Sequence, residues 1–414
     1  MAYSDKQRNN YQEILSGIVD SGLNKEEQQI ISSQGSMIKV RKGSGKSIDS
    51  LINMCSNNYL GLASHPQITQ AAHHALDSRG YGLASVRFIC GTQDIHRQLE
   101  ERLSSFLGTE DCILFSSCFD ANAAVFETLL DESDIMISDR LVHASIIDGM
   151  RLSKAGHDTY KHKDMKHLRK KLELHGHCPR KVIITDGVFS MDGDIAPLEE
   201  LASLAEEYDA MLFVDDSHAT GFMGASGRGT HELCGVLGKV DLLTTTFGKA
   251  LGGASGGCVA GRSELVELLR QRGRPYLFSN SLAPMMTMGT LAALDLVEQD
   301  QSLRQRLLQN MQWWRDSLVD AGFIVVPGNS PIVPIMLYQA KLAQAFAHRL
   351  YEEGILAVAF SFPVVPQNQA RIRTQVSAAH DLEMLQEALA AFVRIGKELD
   401  ALGKTKAELL AQKY

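Results

Sequence analysis

The stretch Thr244-Thr-Thr-Phe-Gly-Lys-Ala-Leu-Gly-Gly-Ala-Ser-Gly-Gly257 sets one lysine in a bed of small residues. An apolar run ending in three threonines delivers Lys249. Six of the eight residues after it, Gly252, Gly253, Ala254, Ser255, Gly256 and Gly257, have almost no side chain. Such a stretch leaves room for a flat or bulky group against the backbone. A lysine held there and partly desolvated loses its proton near neutral pH and can attack a carbonyl. Lys249 therefore reads as a Schiff-base lysine, against the alternative of a surface lysine beside a flexible glycine loop.

Outward from this stretch, short apolar runs alternate with amphipathic stretches of helical length. That rhythm predicts an α/β fold with a mainly parallel sheet wrapped by helices. Strands are expected at Cys112–Phe115, Ile135–Ser138, Val182–Thr185, Met211–Val214, Leu242–Thr246 and Cys258–Ala260. Helices are expected over 94–107, 120–130, 144–154, 198–208 and 263–271, with two long ones at 282–298 and 301–319 leading to a second unit. After about residue 320 the rhythm restarts: strands at Phe323–Val326, Val333–Leu337 and Arg371–Gln375, helices near 340–353 and 381–398. The expected division is an N-terminal helix and arm (1–55), a large domain (56–290) and a smaller C-terminal α/β domain (291–414).

Residues 1–50 read as a polar helix over about 5–20 and then an irregular arm ending in Arg41-Lys-Gly-Ser-Gly-Lys-Ser47. That ending mimics a phosphate-binding loop, but Val40 stands where the motif needs glycine and no apolar strand leads into it. It reads as an exposed turn. The net charge of −8 argues against nucleic acid as the main partner, and every apolar run is interrupted before membrane-spanning length. The polar N-terminus shows no secretory signal, and seven scattered cysteines without a Cys-x-x-Cys pair fit reduced thiols. A cytoplasmic protein is expected.

In an open parallel sheet, ligands sit at the carboxyl ends of the strands. Polar residues follow the expected strands there. Asp215-Asp-Ser-His218 follows Met211–Val214, and Asp215 could keep a pyridine nitrogen protonated while His218 reaches a phenolic oxygen. Ser116-Ser-Cys-Phe-Asp-Ala-Asn122 opens a helix whose free amides suit a phosphate. His143 stands at the mouth of another helix, placed to stack on an aromatic ring, and Ser190 follows Val182–Thr185. Taken singly, each has a plainer reading as a cap or a packed residue. Together they supply amine, pyridinium partner, ring stacker and phosphate cradle, the parts of a pyridoxal-phosphate site. Arg371 and Arg373 lie on one face of a strand, and either could clamp a carboxylate.

At this point the chain resembles the α-oxoamine synthase family of fold-type I pyridoxal-phosphate enzymes, and within it the acetyl-transferring branch. The resemblance runs from about 50 to 395. It is carried by Ser56-Asn-Asn-Tyr-Leu-Gly-Leu62, Gly80–Asp94, Ser116–Asn122, His143-Ala-Ser145, Thr185–Gly193, Val214-Asp-Asp-Ser-His-Ala219, Thr246–Gly257, Arg274–Ser281 and Gln369–Ser377. It implies a large domain with a mostly parallel seven-stranded sheet and a smaller C-terminal α/β domain. It also implies that Lys249 carries pyridoxal 5′-phosphate and moves the substrate proton. His143 would stack on the ring, Asp215 pair with its nitrogen, and His218 and Ser190 meet its O3′ side. The Cys118 and Phe119 amides and Thr246 would hold the phosphate, completed by Phe278 and Ser279 from the second subunit of a homodimer. Asn57 and Arg373 would orient the amino-acid carboxylate.

The activity so implied is condensation of glycine with acetyl-CoA to 2-amino-3-oxobutyrate and CoA, reversible in threonine breakdown. The alternative is a relative using another amino acid or a longer acyl-CoA, of the 8-amino-7-oxononanoate synthase or serine palmitoyltransferase kind. Two departures stand out. The family has Asn before His-Ala-Ser where this chain has Val142, which implies a missing polar contact to the acyl group. A tail, about Leu402–Tyr414, runs past the family's usual end and reads as a solvated helix.

Overall fold

The computed structural model describes residues 3–20, 27–41 and 48–412. In chain order the strands are β1 Gln29–Ile30, β2 Met37–Arg41, β3 Ile48–Asn53, β4 Asp111–Phe115, β5 Ile135–Asp139, β6 Gly156–Tyr160, β7 Lys181–Asp186, β8 Met211–Asp215, β9 Leu242–Thr246, β10 Gly257–Gly261, β11 Ile332–Tyr338, β12 Ile355–Leu356, β13 Val358–Phe360 and β14 Ala370–Gln375.

A seven-stranded sheet runs in the order β4-β10-β9-β8-β7-β5-β6. Neighbours from β9 to β6 pair in parallel, and only β10 runs against its two neighbours. The central strands are apolar and largely β-branched because helices cover both faces; every residue of β7 is buried. The reversed strand places the lysine. β9 and β10 form a hairpin whose ends pair Thr246 with Gly257, and Gly257 also faces Phe115 of β4. The loop holding Lys249 is thus closed beside the chain that leaves β4. Gly257 permits this approach, since a Cβ there would come within 2.6 Å of the Cys118 amide nitrogen.

The second sheet, β11-β14-β13, is covered by the helices Gln301–Asp320, Ala340–Glu352 and Leu382–Glu398. Their shared core gathers Trp314, Phe323, Phe346 and Phe392, with Trp314 and Phe392 ring centroids 5.4 Å apart. Trp314 Nε1 donates to Thr374 Oγ1 of β14 at 2.9 Å, so the buried indole leaves no donor unpaired. The fold is therefore α/β with the expected seven-stranded, mostly parallel sheet and a smaller C-terminal α/β unit.

Several local expectations are corrected. Gly156–Tyr160 forms a strand that was not expected; it is an edge strand with only Tyr160 buried, so it carries no apolar run. Phe323–Val326 is not a strand but a loop with a single bridge, Val325 to Ile335. The arm is not wholly irregular: β1, β2 and β3 join β12 in a four-stranded sheet. The helix Asp5–Asp20 is present and buries none of its residues. The loop 42–47 lies outside the described residues. The tail is helical over Lys406–Ala411 but is docked rather than solvated, with Leu409 buried in the core of the second unit. Gln339 Nε2 donates to the carbonyls of Leu409 and Gln412, the latter at 2.9 Å.

Candidate active site

A cavity of about 220 Å³ opens at the carboxyl ends of β7, β8 and β9. Lys249, His143, Asp215, His218, Cys118, Phe119 and Thr246 all line it. Burial pulls the Lys249 ammonium below its ordinary range, and the nearby carboxylates Asp215 and Asp186 pull the other way without prevailing. Among the described residues no carboxylate forms an ion pair with it. Burial thus favours its free-amine form.

Asp215 ends β8 and is held by two donors: Asn122 Nδ2 at 2.7 Å on Oδ2 and the Ser217 amide at 3.0 Å on Oδ1. Asn122 Nδ2 also reaches Ser145 Oγ at 2.8 Å, and that hydroxyl lies 2.7 Å from His143 Nδ1. The Ser145 amide donates to the same ring nitrogen at 3.2 Å. One chain of hydrogen bonds therefore joins the carboxylate to the imidazole. Burial keeps His143 below its ordinary range, against the pull of Asp215. Asp186 ends β7 and accepts the His143 amide at 3.1 Å; burial and then the charge of Asp215 push its carboxyl well up.

At the other end of the cavity the helix Cys118–Leu129 begins. Ser117 Oγ caps the Asp120 amide at 3.0 Å, and the Ala121 amide bonds to the Ser117 carbonyl, which among the described residues leaves the Cys118 and Phe119 amides as the open donors of the first turn. Thr246 lines the same corner; its Oγ1 accepts from Gly248 N at 3.1 Å and donates to the Gly256 carbonyl at 3.3 Å. An anion is the natural ligand of such a corner.

Asn57, Ser190 and Arg373 flank the cavity rather than line it. The two arginines of β14 part company here. Arg371 is 3% exposed and is committed to Asp192 Oδ1 at 2.6 Å and the Met191 carbonyl at 3.1 Å. Among the described residues Arg373 gives one bond, to the Ser190 carbonyl at 2.8 Å, stacks 4.6 Å over Phe360, and leaves its buried Nε without a partner. Gln375 Nε2 donates to Asn57 Oδ1 at 2.7 Å, and Tyr59 Oη lies 2.8 Å from His218 Nδ1. Ser279 Oγ lies 3.4 Å from Ser116 Oγ of its own chain, whereas Phe278 is 69% exposed. Val142 does not line the cavity; it is buried in an apolar cluster with Ile146 and Met150. Sequence reasoning missed Tyr59, Asn122, Ser145, Asp186, Ser217 and Gln375. All six stood within stretches already singled out, but most of them also contact groups far away in sequence, such as Tyr59 with His218 and Gln375 with Asn57.

The profile of class I and II aminotransferases matches residues 49–392. The 2-amino-3-ketobutyrate coenzyme A ligase of Escherichia coli (strain K12) is 54% identical over 383 residues, which are 92% of this chain and 95% of that protein. The chain belongs to the α-oxoamine synthases, within the class I and II aminotransferase family. Among other α-oxoamine synthases, the 8-amino-7-oxononanoate synthase of Thermosipho melanesiensis is 44% identical over 352 residues, 85% of this chain and 90% of that one. A solved serine palmitoyltransferase with PLP superposes with a TM-score of 0.90 at 28% identity, covering 96% of this chain and 99% of its own.

Proposed function

We propose that this α-oxoamine synthase binds pyridoxal 5′-phosphate and joins glycine to acetyl-CoA, giving 2-amino-3-oxobutyrate and CoA. The observation that carries the reading is the convergence of Lys249, Asp215 and the open amides of Cys118 and Phe119 on one cavity. The residues present fit the cofactor: an amine for its aldehyde, a carboxylate for its ring nitrogen, an imidazole for its face and helix amides for its phosphate. When bound, the cofactor supplies an electron-accepting ring that stabilises charge at the amino acid's Cα.

The protein's own groups then divide the work. Arg373 and Asn57 orient the glycine carboxylate. Lys249, its ammonium pulled below its ordinary range by burial, takes the Cα proton. The Cα carbon attacks the thioester carbonyl, the carbon–sulfur bond breaks and CoA leaves as its thiol. Asp215 holds a proton on the ring nitrogen, His218 and Ser190 serve the O3′ side, and His143 covers the ring. Thr246 and the Cys118 and Phe119 amides hold the phosphate, with Phe278 and Ser279 of a second copy in a homodimer. Among the described residues no helix is long and apolar enough to cross a membrane. A cytoplasmic enzyme, divided at 1–55, 56–290 and 291–414, completes the proposal.

The 44% identity to an 8-amino-7-oxononanoate synthase favours a second reading with a longer acyl-CoA; the 54% identity supports the acetyl reading over it. The test is the visible spectrum of the purified protein followed by a panel of acyl-CoAs. A band at about 410–430 nm, absent in Lys249→Ala, is expected for a lysine-bound cofactor. Glycine with acetyl-CoA should release CoA faster than with octanoyl-CoA. A protein that stays colourless with added cofactor ends the enzyme reading, and a preference for octanoyl-CoA moves it to the second.

A further inference from the structure

His218 is 7% exposed and its Nδ1 faces the fully buried Tyr59 hydroxyl at 2.8 Å. Burial, reinforced by the charges of Lys249 and Arg373, holds this imidazole far below its ordinary range, and burial pushes the Tyr59 phenol up. Both groups are therefore neutral around pH 7. A neutral imidazole has a single N–H, and a neutral phenol a single hydrogen to give.

Where that hydrogen goes follows from the neighbours. Tyr59 Oη has two acceptors in reach: His218 Nδ1 at 2.8 Å and Asn57 Oδ1 at 3.4 Å. The second already accepts from Gln375 Nε2 at 2.7 Å, and the same amide nitrogen stands 3.5 Å from the phenol oxygen, on its accepting side. Asn57 Oδ1 is the longer contact and is already engaged, so the phenol hydrogen is assigned to the 2.8 Å contact with His218 Nδ1. His218 Nδ1 is then an acceptor, and its one N–H sits on Nε2, which makes no hydrogen bond among the described residues and belongs to a ring lining the cavity.

We infer that Tyr59, seated by Gln375 of β14, is a positioning residue that locks His218 in the Nε2–H form, so that the cavity is offered a hydrogen-bond donor. The opposite tautomer would turn a lone pair toward any oxyanion bound there. The device spans the molecule, because Tyr59 stands 159 positions before His218 and Gln375 reaches in from the second sheet. The identity of the oxyanion, the cofactor's O3′, rests on the function proposed above; the tautomer does not.

Two measurements on the holoenzyme test it. With ¹⁵N-labelled histidine, and the signal assigned by its loss in His218→Gln, the ring should show a protonated Nε2 and a bare Nδ1. A proton on Nδ1 overturns the inference, and this reading needs no variant at Tyr59 to fold. In Tyr59→Phe the pH midpoint of the visible band should move by about one unit. The turnover number should fall about tenfold while the glycine KM stays within about twofold. A folded Tyr59→Phe with an unmoved midpoint also overturns it. A colourless protein that still shows Nε2–H supports the lock while ending the cofactor reading.

Discussion

Arg371 and Arg373 stand two positions apart on β14, with the same chemistry and the same outlook from the sequence, yet only one keeps a free donor. Arg371 is held by Asp192 and Met191 on the 187–196 loop. Among the described residues Arg373 has a buried Nε with no partner and a ring stacked beneath its guanidinium, a fork that suits the carboxylate assigned to it in the proposed function. Arg373→Lys keeps the charge but loses the fork, so the glycine KM should rise at least about tenfold with little change in melting temperature. Arg371→Lys should do the reverse, losing about 1–2 kcal/mol of stability with the glycine KM within about threefold. Steady-state kinetics and thermal melts on the two variants decide it; an unchanged glycine KM in Arg373→Lys would remove that residue from the carboxylate's binding. Spacing alone could pose this choice and not make it, and only the family resemblance pointed to Arg373, because the group that occupies Arg371, Asp192, lies 179 residues away.

The loop 187–196 is the element that these contacts hold, and at Asp194 it is pinned from the opposite side by the His162 imidazole together with Lys163, whose Nζ lies 2.9 Å from Asp194 Oδ2. His162 Nδ1 lies 3.0 Å from Asp139 Oδ1 and its Nε2 lies 2.9 Å from Asp194 Oδ2. Burial alone would lower its pKa, but hydrogen bonds and charge from Asp139 and Asp194 outweigh that and push it to about 9. An imidazole whose folded pKa is raised contributes stability that is complete below its unfolded value of about 6.5, erodes as pH rises, and is gone above about 9. Melting curves should therefore show His162→Gln clearly less stable than the wild type at pH 6 and nearly level with it at pH 10. A gap that keeps its size across that range would mean the loop is not held by an imidazolium. Elements of this kind mark the limit of what the sequence discloses. Asp94–Leu107 was readable to its ends, because a periodic apolar face stops at Gly108 in a left-handed conformation. The Gly156–Tyr160 edge strand was not, having one buried side chain, and the tail looked solvated because Leu409 finds its burial only against β11 and the core beneath it. The cavity's first ring of residues was legible, since each follows a strand end. The chain Asp215–Asn122–Ser145–His143 was not, since it closes across two helices and a strand.

At the scale of the whole molecule, the exposed surface is larger than a lone chain of this mass usually carries. The chain exposes 19340 Å², whereas a monomer of 45.5 kDa is expected to expose about 15,800 Å². Part of the excess belongs to the helix Asp5–Asp20, which leaves Tyr11, Ile14, Leu15 and Ile18 in solvent. Another part lies near the cavity. Phe278 is 69% exposed, and Phe88 and Ile89 of the 80–94 loop are 64% and 68% exposed. The Ser281 amide donates to the Ser85 carbonyl at 3.2 Å, tying the two segments together, and Phe119 at the open helix start is itself half in solvent. Apolar side chains gathered in this way beside a ligand corner call for a cover of the same character, and a second copy of the chain supplies it in the proposed homodimer. Such an interface buries at least about 1,200 Å² in all, well within the excess carried by two chains. Phe278→Asp sets a charge in that interface without disturbing any buried contact of the isolated chain. Light scattering should find the wild type at twice the chain mass and Phe278→Asp shifted toward monomer, with pyridoxal phosphate released more readily on dilution. A variant that stays dimeric and keeps its cofactor would place the interface elsewhere, and a wild type that is monomeric while fully active would show that one chain completes the phosphate corner by itself.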